Sequence, residues 1–169
     1  MLLYEDIISG DEMFSDAFPM KHIDGIAYEV DCQMIVVKEG DVDIGANASA
    51  EEQEEALEDG ASTVNNIAHS FRLQPTAYDK KAYLLHLKAY MKSVADKLAA
   101  KGDDAAAVAD FKAKANDFAK KIIGKFKDYE FYTGENMNPD GMVALLNYRE
   151  DGITPYFTFW KHGLKEVKL

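Results

Sequence analysis

The chain has 169 residues, a net charge of −11 and 47% hydrophobic residues, which predicts a single domain over residues 1–169 with one sizeable core. One cysteine excludes an internal disulfide, and no apolar run reaches the roughly 20 residues of a membrane-spanning helix. Because the N-terminal residues also lack a secretory signal, we expect a cytoplasmic protein without a membrane span.

The first half of the chain is predicted to form strands around an acidic loop. Alternating apolar residues over 26–37 predict a strand with one buried face, on which Cys32 would be an inert buried thiol. Another strand is predicted at 67–73. Between them, residues 39–62 hold nine acidic side chains and no basic one. This segment cannot bury enough apolar surface to offset its ordering entropy, so a long flexible loop is expected.

The middle of the chain has a helical period. Apolar residues recur at steps of three and four in two segments, 83–98 and 108–126. Between the segments, the sequence KGDD offers a glycine stop followed by an aspartate N-cap. We therefore predict an antiparallel helical hairpin over residues 76–127. Its lysines either form a solvated outer face or bind an acidic partner.

The C-terminal third returns to a period of two. The segments YEFYTG, MVALLNY and YFTFWK predict three strands, and REDGITP joins the last two through a turn at Asp151–Gly152. Strands on either side of a helical insertion indicate an α+β domain with a mostly antiparallel sheet. The sequence NPDG at 138–141 predicts a turn with a positive φ at Gly141, which leaves Glu135, Asn136 and Met137 unexplained.

Charge is distributed unevenly over these elements. Residues 1–79 carry 18 acidic and 3 basic side chains, whereas residues 80–127 carry 12 lysines and 5 aspartates. Overall acidity disfavours nucleic-acid binding, which depends on neutralising phosphate charge, so no specific nucleic acid is expected as a partner. The basic block is better suited to an acidic partner.

Motifs for metal binding and catalysis are incomplete. The segment 41–52 resembles a calcium-binding loop, but Ala46 replaces the turn glycine and Gly45 supplies no ligand, which leaves weak, diffuse calcium binding. The four histidines and Cys32 are too scattered for zinc. Glu135 and Asp140 could act as an acid/base pair only in a pocket, which the sequence does not show. We predict no catalytic residue, no firm metal site and no tightly bound cofactor.

Two long segments resemble a known family. IGANASAEEQE at 44–54 and FKDYEFYTGENMNPDGMVALLNY at 126–148 resemble the two signatures of the translationally controlled tumour protein family, and VNNIAHSFRLQ and FWKHG are similar to its fungal members. The resemblance implies a β-tent core, similar to small chaperones of Rab-type GTPases, with a protruding helical hairpin and a flexible acidic loop. Leu169 stands where metazoan members have the cysteine of a covalent dimer, so that dimer is not implied.

The same resemblance implies a non-enzymatic cytoplasmic binding protein with a cytoskeleton-associated fraction. Its roles would be microtubule stabilisation, support of protein synthesis and weak calcium binding. The implied partners are tubulin and microtubules, the ribosome or translation factors, and a small Ras- or Rab-type GTPase. Glu12 and Glu135 match the acids implicated in guanine-nucleotide exchange in the family.

Two hypotheses about binding residues follow. In the first, Lys88, Lys92, Lys120 and Lys121 bind an acidic partner such as a tubulin tail, with an affinity that falls as salt is added. In the second, Glu12 and Glu135 approach the magnesium and phosphate region of a GTPase. The first hypothesis requires that the lysines are not already neutralised by acids of the same chain.

Overall fold

The computed structural model describes residues 1–38, 41–43, 62–102 and 104–168. In these ranges the chain forms twelve strands in three sheets, and all paired strands are antiparallel. The first sheet has the order β12–β1–β2 and joins the two ends of the chain. Its strands are β1 (Leu2–Asp6), β2 (Glu12–Ser15) and β12 (Leu164–Lys168).

The second and third sheets form the remaining β structure. The second has six strands in the order β3–β4–β11–β10–β9–β8, which are Met20–Ile23, Ala27–Asp31, Pro155–Trp160, Ala144–Tyr148, Glu130–Thr133 and Gln74–Thr76. The third has the order β6–β5–β7, which are Asp41–Asp43, Met34–Lys38 and Ser62–Asn65. The predicted α+β class with mostly antiparallel strands is confirmed.

The predicted helical hairpin is also present, as α2 (Lys80–Lys101) and α3 (Ala105–Gly124). Asp79 accepts a hydrogen bond from the Ala82 amide at 2.7 Å, and Asp104 accepts one from Ala107 at 2.7 Å, so both N-termini are capped. Gly102 ends α2 with a left-handed φ of 107°. The helices are shorter than the predicted span because residues 74–76 form β8 and 126–128 form a 3-10 turn.

Both helices bury the apolar stripe that the sequence predicts. The buried residues are Tyr83, Leu87, Tyr90, Val94, Ala95 and Leu98 on α2, and Phe111, Ala115, Phe118 and Ile122 on α3. The ring of Phe118 packs edge-on against the buried Trp160 of β11 at a centroid distance of 5.4 Å. Each such aromatic contributes about 1.5–3 kcal/mol of burial energy, so the hairpin is fixed to the six-stranded sheet by packing. In the described ranges, neither this hairpin nor any other helix is both long and apolar enough to cross a membrane.

The prediction of a strand at 67–73 is wrong, because this segment forms helix α1 (Asn66–Phe71). The Asn65 side chain accepts hydrogen bonds from the amides of Ile67 and Ala68 at 3.0 and 3.1 Å, which starts a helix. Arg72 then ends it in the left-handed conformation, with φ 57°. The apolar alternation contained no information about this cap.

The strand predicted over 26–37 is divided between two sheets. The break lies at Cys32 and Gln33, where the Cys32 amide donates to the Pro155 carbonyl at 2.8 Å and the Gln33 amide donates to Asn66 Oδ1 at 2.9 Å. Cys32 is buried, as expected. Within the loop predicted over 39–62, residues 41–43 form strand β6 and Ser62 begins β7, while 39–40 and 44–61 lie outside the described residues.

The C-terminal strands and both turns lie where the sequence places them, with one difference in conformation. The Arg149 amide donates to the Thr154 carbonyl at 2.8 Å across the turn that contains Gly152. In the other turn, the Gly141 amide donates to the Asn138 carbonyl at 3.1 Å, but Gly141 does not have a positive φ. The positive φ belongs to Met137, which immediately precedes this turn. Gly141 is needed for space instead, since a Cβ atom there would lie 2.9 Å from Asp6 Oδ2.

Candidate functional site

The segment at 134–142 packs against two buried aspartates, Asp6 at the end of β1 and Asp11 just before β2. Asp6 is 1% exposed, and its carboxylate accepts five hydrogen bonds. The donors are the amides of Ile8 (3.1 Å), Ser9 (3.2 Å) and Met142 (2.7 Å), the Ser9 hydroxyl (2.7 Å) and the Tyr90 hydroxyl (3.0 Å). Asp6 therefore joins the β1–β2 turn, α2 and the segment before β10.

Asp11 is the second buried aspartate, with 5% exposure. Asn136 Nδ2 donates to Asp11 Oδ1 at 2.6 Å, whereas Asp11 Oδ2 has no hydrogen-bond partner within the described residues. Gly134 lies directly against the same side chain, because a Cβ atom there would be 2.7 Å from Asp11 Cγ. Gly134 and Asn136 are thus both needed for packing against Asp11, a role that the sequence did not reveal.

Sequence reasoning missed Asp6 and Asp11 as organising residues. The available signal was the segment DIISGD, in which two aspartates enclose a glycine turn between two apolar strands. Short polar side chains at such positions commonly accept hydrogen bonds from nearby backbone amides. The partners from 134–142 could not be recognised, because hydrogen bonds between Asp6 and Met142 connect residues far apart in the chain.

Glu12 and Glu135 flank the Asp11 contact. Glu12 follows Asp11 directly, and Glu135 lies between Gly134 and Asn136, so both acids border the same packed junction. Both side chains are exposed. Glu135 Oε1 accepts a hydrogen bond from Arg72 Nη1 at 2.9 Å, which forms an exposed ion pair. Both acids are therefore chain neighbours of residues in this junction, and Glu135 is already partnered.

Potential metal ligands are dispersed over the described part of the chain. Across the described ranges, no group of three or more His, Cys, Asp or Glu side chains is placed to hold a metal ion. The candidate calcium loop at 41–52 lies outside these ranges except for the backbone of 41–43.

A groove of about 550 Å³ lies between α2 and α3. Lys88, Lys92 and Lys112 stand on its walls. Its apolar surface comes from Leu84, Leu87, Met91, Ala115 and Ala119. Leu84 is 43% exposed, which is unusual for a large apolar side chain on a helix that already has a buried stripe. We call this feature the lysine groove.

The structure separates the four lysines that the sequence grouped. Lys88 and Lys92 line the lysine groove, and neither makes an ion pair with another described residue. Lys120 is exposed on α3 but does not line the groove. Lys112 was missed, although its spacing from Ala115 and Asn116 places all three on one face of α3.

Lys121 does not meet the requirement that the hypothesis set. Its ammonium group pairs with Asp24 Oδ2 at 2.8 Å, and this hydrogen bond raises the pKa of Lys121. Asp24 lies in the turn between β3 and β4, where its φ is 52°, so the ion pair connects this turn with α3. Lys121 therefore lacks the unpaired ammonium group that the first hypothesis requires, although its side chain is exposed.

Comparison with known proteins gives a consistent assignment. A family profile described as "Translationally controlled tumour protein" matches residues 1–165. A translationally controlled tumour protein homologue from Neurospora crassa is 63% identical over 170 residues, and one from Alternaria alternata is 60% identical over 169 residues, each with 100% of both chains covered.

Solved structures agree with these sequence matches. The translationally controlled tumour-associated protein p23fyp from Schizosaccharomyces pombe has a TM-score of 0.81 and 55% identity, with both chains fully covered. The NMR structure of the translationally controlled tumour protein from Caenorhabditis elegans has a TM-score of 0.74 and 30% identity, and covers 100% of this chain and 99% of that one. The chain therefore belongs to the translationally controlled tumour protein family.

Proposed function

We propose that this chain is a non-enzymatic binding protein that uses the lysine groove to bind acidic partners, with microtubules as the main partner and the translation apparatus as a further one. The observation that supports the proposal is the combination of Lys88, Lys92 and Lys112 with an apolar surface in one groove. A cytoplasmic location with a cytoskeleton-associated fraction, and weak calcium binding by the acidic residues, belong to the same proposal.

The charge of the groove favours an acidic segment over other ligands. Each lysine–carboxylate contact at an exposed site contributes about 0.2–1 kcal/mol, so three such contacts confer selectivity more than affinity. The exposed part of Leu84 and the half-buried Met91 add apolar area that water leaves on binding. The preferred partner is therefore an acidic chain segment that also carries apolar side chains, and the acidic tail of tubulin supplies the charge.

Cosedimentation with microtubules tests the proposal. We expect the Lys88→Glu/Lys92→Glu variant to lose about tenfold or more in affinity, because two attractive contacts become repulsive. The matched control is Lys80→Glu/Lys81→Glu, which makes the same charge change at exposed positions of α2 outside the groove. Removal of the acidic tubulin tails by limited proteolysis should weaken the wild type and leave the groove variant unchanged. Equal losses in both variants would exclude the groove as the binding site.

The four lysines of the sequence hypothesis should separate in the same assay. Lys121→Gln is expected to leave binding within about twofold of the wild type, because that lysine is already occupied by Asp24. Raising the salt concentration should weaken wild-type binding, since exposed charges are screened over about 10 Å at 0.1 M salt. Binding that does not respond to salt would contradict an electrostatic contact.

A second function is favoured by the position of Glu12 and Glu135. Both acids are exposed and adjoin in sequence the residues of the Asp11–Asn136 contact at 2.6 Å, and we call these two acids the acidic edge. We propose that this edge contacts a small Ras- or Rab-type GTPase and promotes nucleotide release by repelling the nucleotide phosphates. This role requires that the ion pair between Glu135 and Arg72 breaks, so that Glu135 can contact the GTPase.

An exchange assay with a purified GTPase of each type separates the two functions. Glu12→Gln/Glu135→Gln should reduce the rate of nucleotide release, and Arg72→Ala should not reduce it, because it leaves Glu135 available. The Lys88→Glu/Lys92→Glu variant is the control and should exchange normally. If the wild type does not accelerate release for either GTPase, the acidic edge does not have this role.

A further inference from the structure

A second cationic cavity lies away from the lysine groove, between the C-terminal part of α2 and the sheet that joins the chain ends. Its volume is about 620 Å³. Lys97 and Lys101 of α2 line one side, and Lys161 and Lys165 line the other. Among the described residues the only acid in its lining is Glu166. Four lysines and one acid thus line the cavity, so basic side chains predominate there.

The remaining walls are aromatic and apolar except for His162. Tyr4 and Tyr28 line the cavity together with Ile7, Leu98 and Leu164. The Tyr4 ring stacks on Phe14 at a centroid distance of 4.5 Å and is tilted against Tyr28 at 5.7 Å, so both rings are held in place. Burial, together with the negative charge of Glu166, raises the pKa of both tyrosines, which keeps their hydroxyls protonated at neutral pH.

The backbone that carries the lysines is rigid. The Lys161 amide donates to the Ile26 carbonyl at 2.9 Å, and the Ile7 amide donates to the Gly163 carbonyl at 2.9 Å. These bonds tie the 3-10 turn Lys161–Gly163 to the neighbouring strands. The lysine positions are therefore preorganised, which reduces the ordering entropy that a ligand would have to overcome.

The lysines around this cavity outnumber the one acid of its lining, Glu166, and Glu5 lies opposite Lys165 on the neighbouring strand. Lys97, Lys161 and Lys165 make no ion pair with any described residue. Ammonium groups placed around one cavity repel each other, and this repulsion is relieved when a multiply charged anion enters. A phosphate carries a charge of about −2 and therefore compensates more of this charge than a single carboxylate does.

We propose that this cavity binds a small phosphate ester that carries an aromatic or apolar group. Lysine acts as a point charge and contacts phosphate from several directions, so Lys97 and Lys165 can hold the phosphate from opposite walls. The organic group then lies against Tyr28, Leu98 and Leu164. The volume lies within the range of about 300–1,000 Å³ that small-molecule sites occupy.

An NMR titration of the ¹⁵N-labelled protein tests the inference with three probes: phenyl phosphate, inorganic phosphate and benzyl alcohol. Phenyl phosphate should shift the amide signals of residues 97–101 and 161–166 and reach saturation. We expect its affinity to exceed that of inorganic phosphate by about tenfold, because the ring adds apolar contact. Benzyl alcohol, which lacks the charge, should bind about tenfold more weakly than phenyl phosphate or not at all.

Variants locate the site. Lys97→Glu/Lys165→Glu should weaken phenyl phosphate binding by about tenfold or more. Lys88→Glu/Lys92→Glu makes the same charge change in the lysine groove and should alter the affinity by less than about twofold. The amide spectrum of each variant reports whether it is folded, and Lys97→Gln/Lys165→Gln replaces the first variant if it is not.

Two outcomes would overturn the inference. One is an equal loss of binding in both lysine variants, which would mean that phosphate responds only to net charge. The other is a set of shifts spread over all lysine-rich segments without saturation at residues 97–101 and 161–166. Neither outcome bears on the lysine groove, because the two features share no lining residue.

Discussion

At the scale of a single residue, Gly134 shows how the segment at 134–142 is constrained by a side chain that is distant in sequence. A Cβ atom at this position would lie 2.5 Å from Asp11 Cβ and 2.7 Å from Asp11 Cγ. Asp11 is buried and is itself held by Asn136, so it cannot move aside freely. The glycine is therefore required for close approach and not for a special φ.

We predict that Gly134→Ala lowers the free energy of unfolding by about 1–3 kcal/mol, because it overpacks the junction between Asp11 and the β9–β10 segment. Urea denaturation measures the change. The control is Gly124→Ala at the end of α3, where a Cβ atom meets nothing within 4 Å. That substitution should stabilise the protein by up to about 1 kcal/mol, since alanine is the better helix former. Similar effects at both positions would contradict the close-packing argument.

Cys32 gives a prediction about reactivity. Burial raises the pKa of its thiol to about 12, so only about one molecule in 10⁴ carries a thiolate near pH 8. We expect the native protein to react with a thiol reagent far more slowly than the protein in urea, where the thiol has its ordinary pKa. Rapid labelling under native conditions, followed by mass spectrometry, would show that the thiol is accessible.

At the scale of elements, the hairpin depends on two aspartate caps. Asp79 and Asp104 each accept a backbone hydrogen bond at 2.7 Å from the first turn of α2 and α3. These bonds satisfy amides that would otherwise lack an intrahelical partner. The caps also fix where each helix starts, and thereby set the register with which Lys88 and Lys92 on α2 face Lys112 on α3.

We predict that Asp104→Ala lowers the free energy of unfolding by about 1 kcal/mol, the usual value for loss of an N-cap. Thermal and urea denaturation followed by circular dichroism measure it. Asp117→Ala, an exposed position inside α3, is the matched control and should change stability by less than about 0.5 kcal/mol. Phenyl phosphate and microtubule binding should both be retained in Asp104→Ala. A change no larger than that of the control would mean that the cap is not needed.

At the scale of the whole molecule, the hairpin and the strands are joined by polar contacts as well as by packing. Tyr90 of α2 donates to the buried Asp6 at 3.0 Å. Lys121 of α3 pairs with Asp24 below it. These contacts hold the lysine groove, the second cationic cavity and the acidic edge on one body, so each surface can be tested by variants that leave the others intact.

His86 makes the attachment of the hairpin dependent on pH. Burial lowers the pKa of His86 below its ordinary value of 6.5, although the Pro139 carbonyl, Asp140 and Asp6 act in the opposite direction. The unfolded chain therefore binds the proton more readily than the folded one. The stability due to neutral His86 is present above about pH 6.5 and is lost as the pH falls through the folded-state pKa.

We predict that the difference in unfolding free energy between the wild type and His86→Gln changes with pH below about 6.5 and is constant above it. Urea denaturation at a series of pH values measures this difference. Tyr78, Tyr83 and Tyr90 surround the imidazole and stay neutral in this range, because burial raises the pKa of each phenol. Parallel stability curves for the two proteins would show that His86 does not titrate differently in the folded state.

The sequence predicted those parts of the fold that depend on neighbouring residues. The apolar period of 83–98 and 108–126 and the caps around KGDD predicted α2 and α3, because helix formation is decided over a few turns of chain. The prediction of a strand at 67–73 failed, since the helix cap at Asn65 outweighed a weak apolar alternation. Family membership could also be recognised from sequence alone, because two long signatures stand in their usual order.

Only the tertiary structure decided which charged side chains act together. Lys120 and Lys121 are adjacent in sequence and both are exposed, yet of the two only Lys121 makes an ion pair with a described residue, Asp24. Likewise, the cavity between Lys97 and Lys165 unites the middle and the end of the chain. Helical period and composition describe one element at a time, whereas charge pairing and cavities depend on distances between elements. Packing sets those distances, and no local pattern in the sequence contains them.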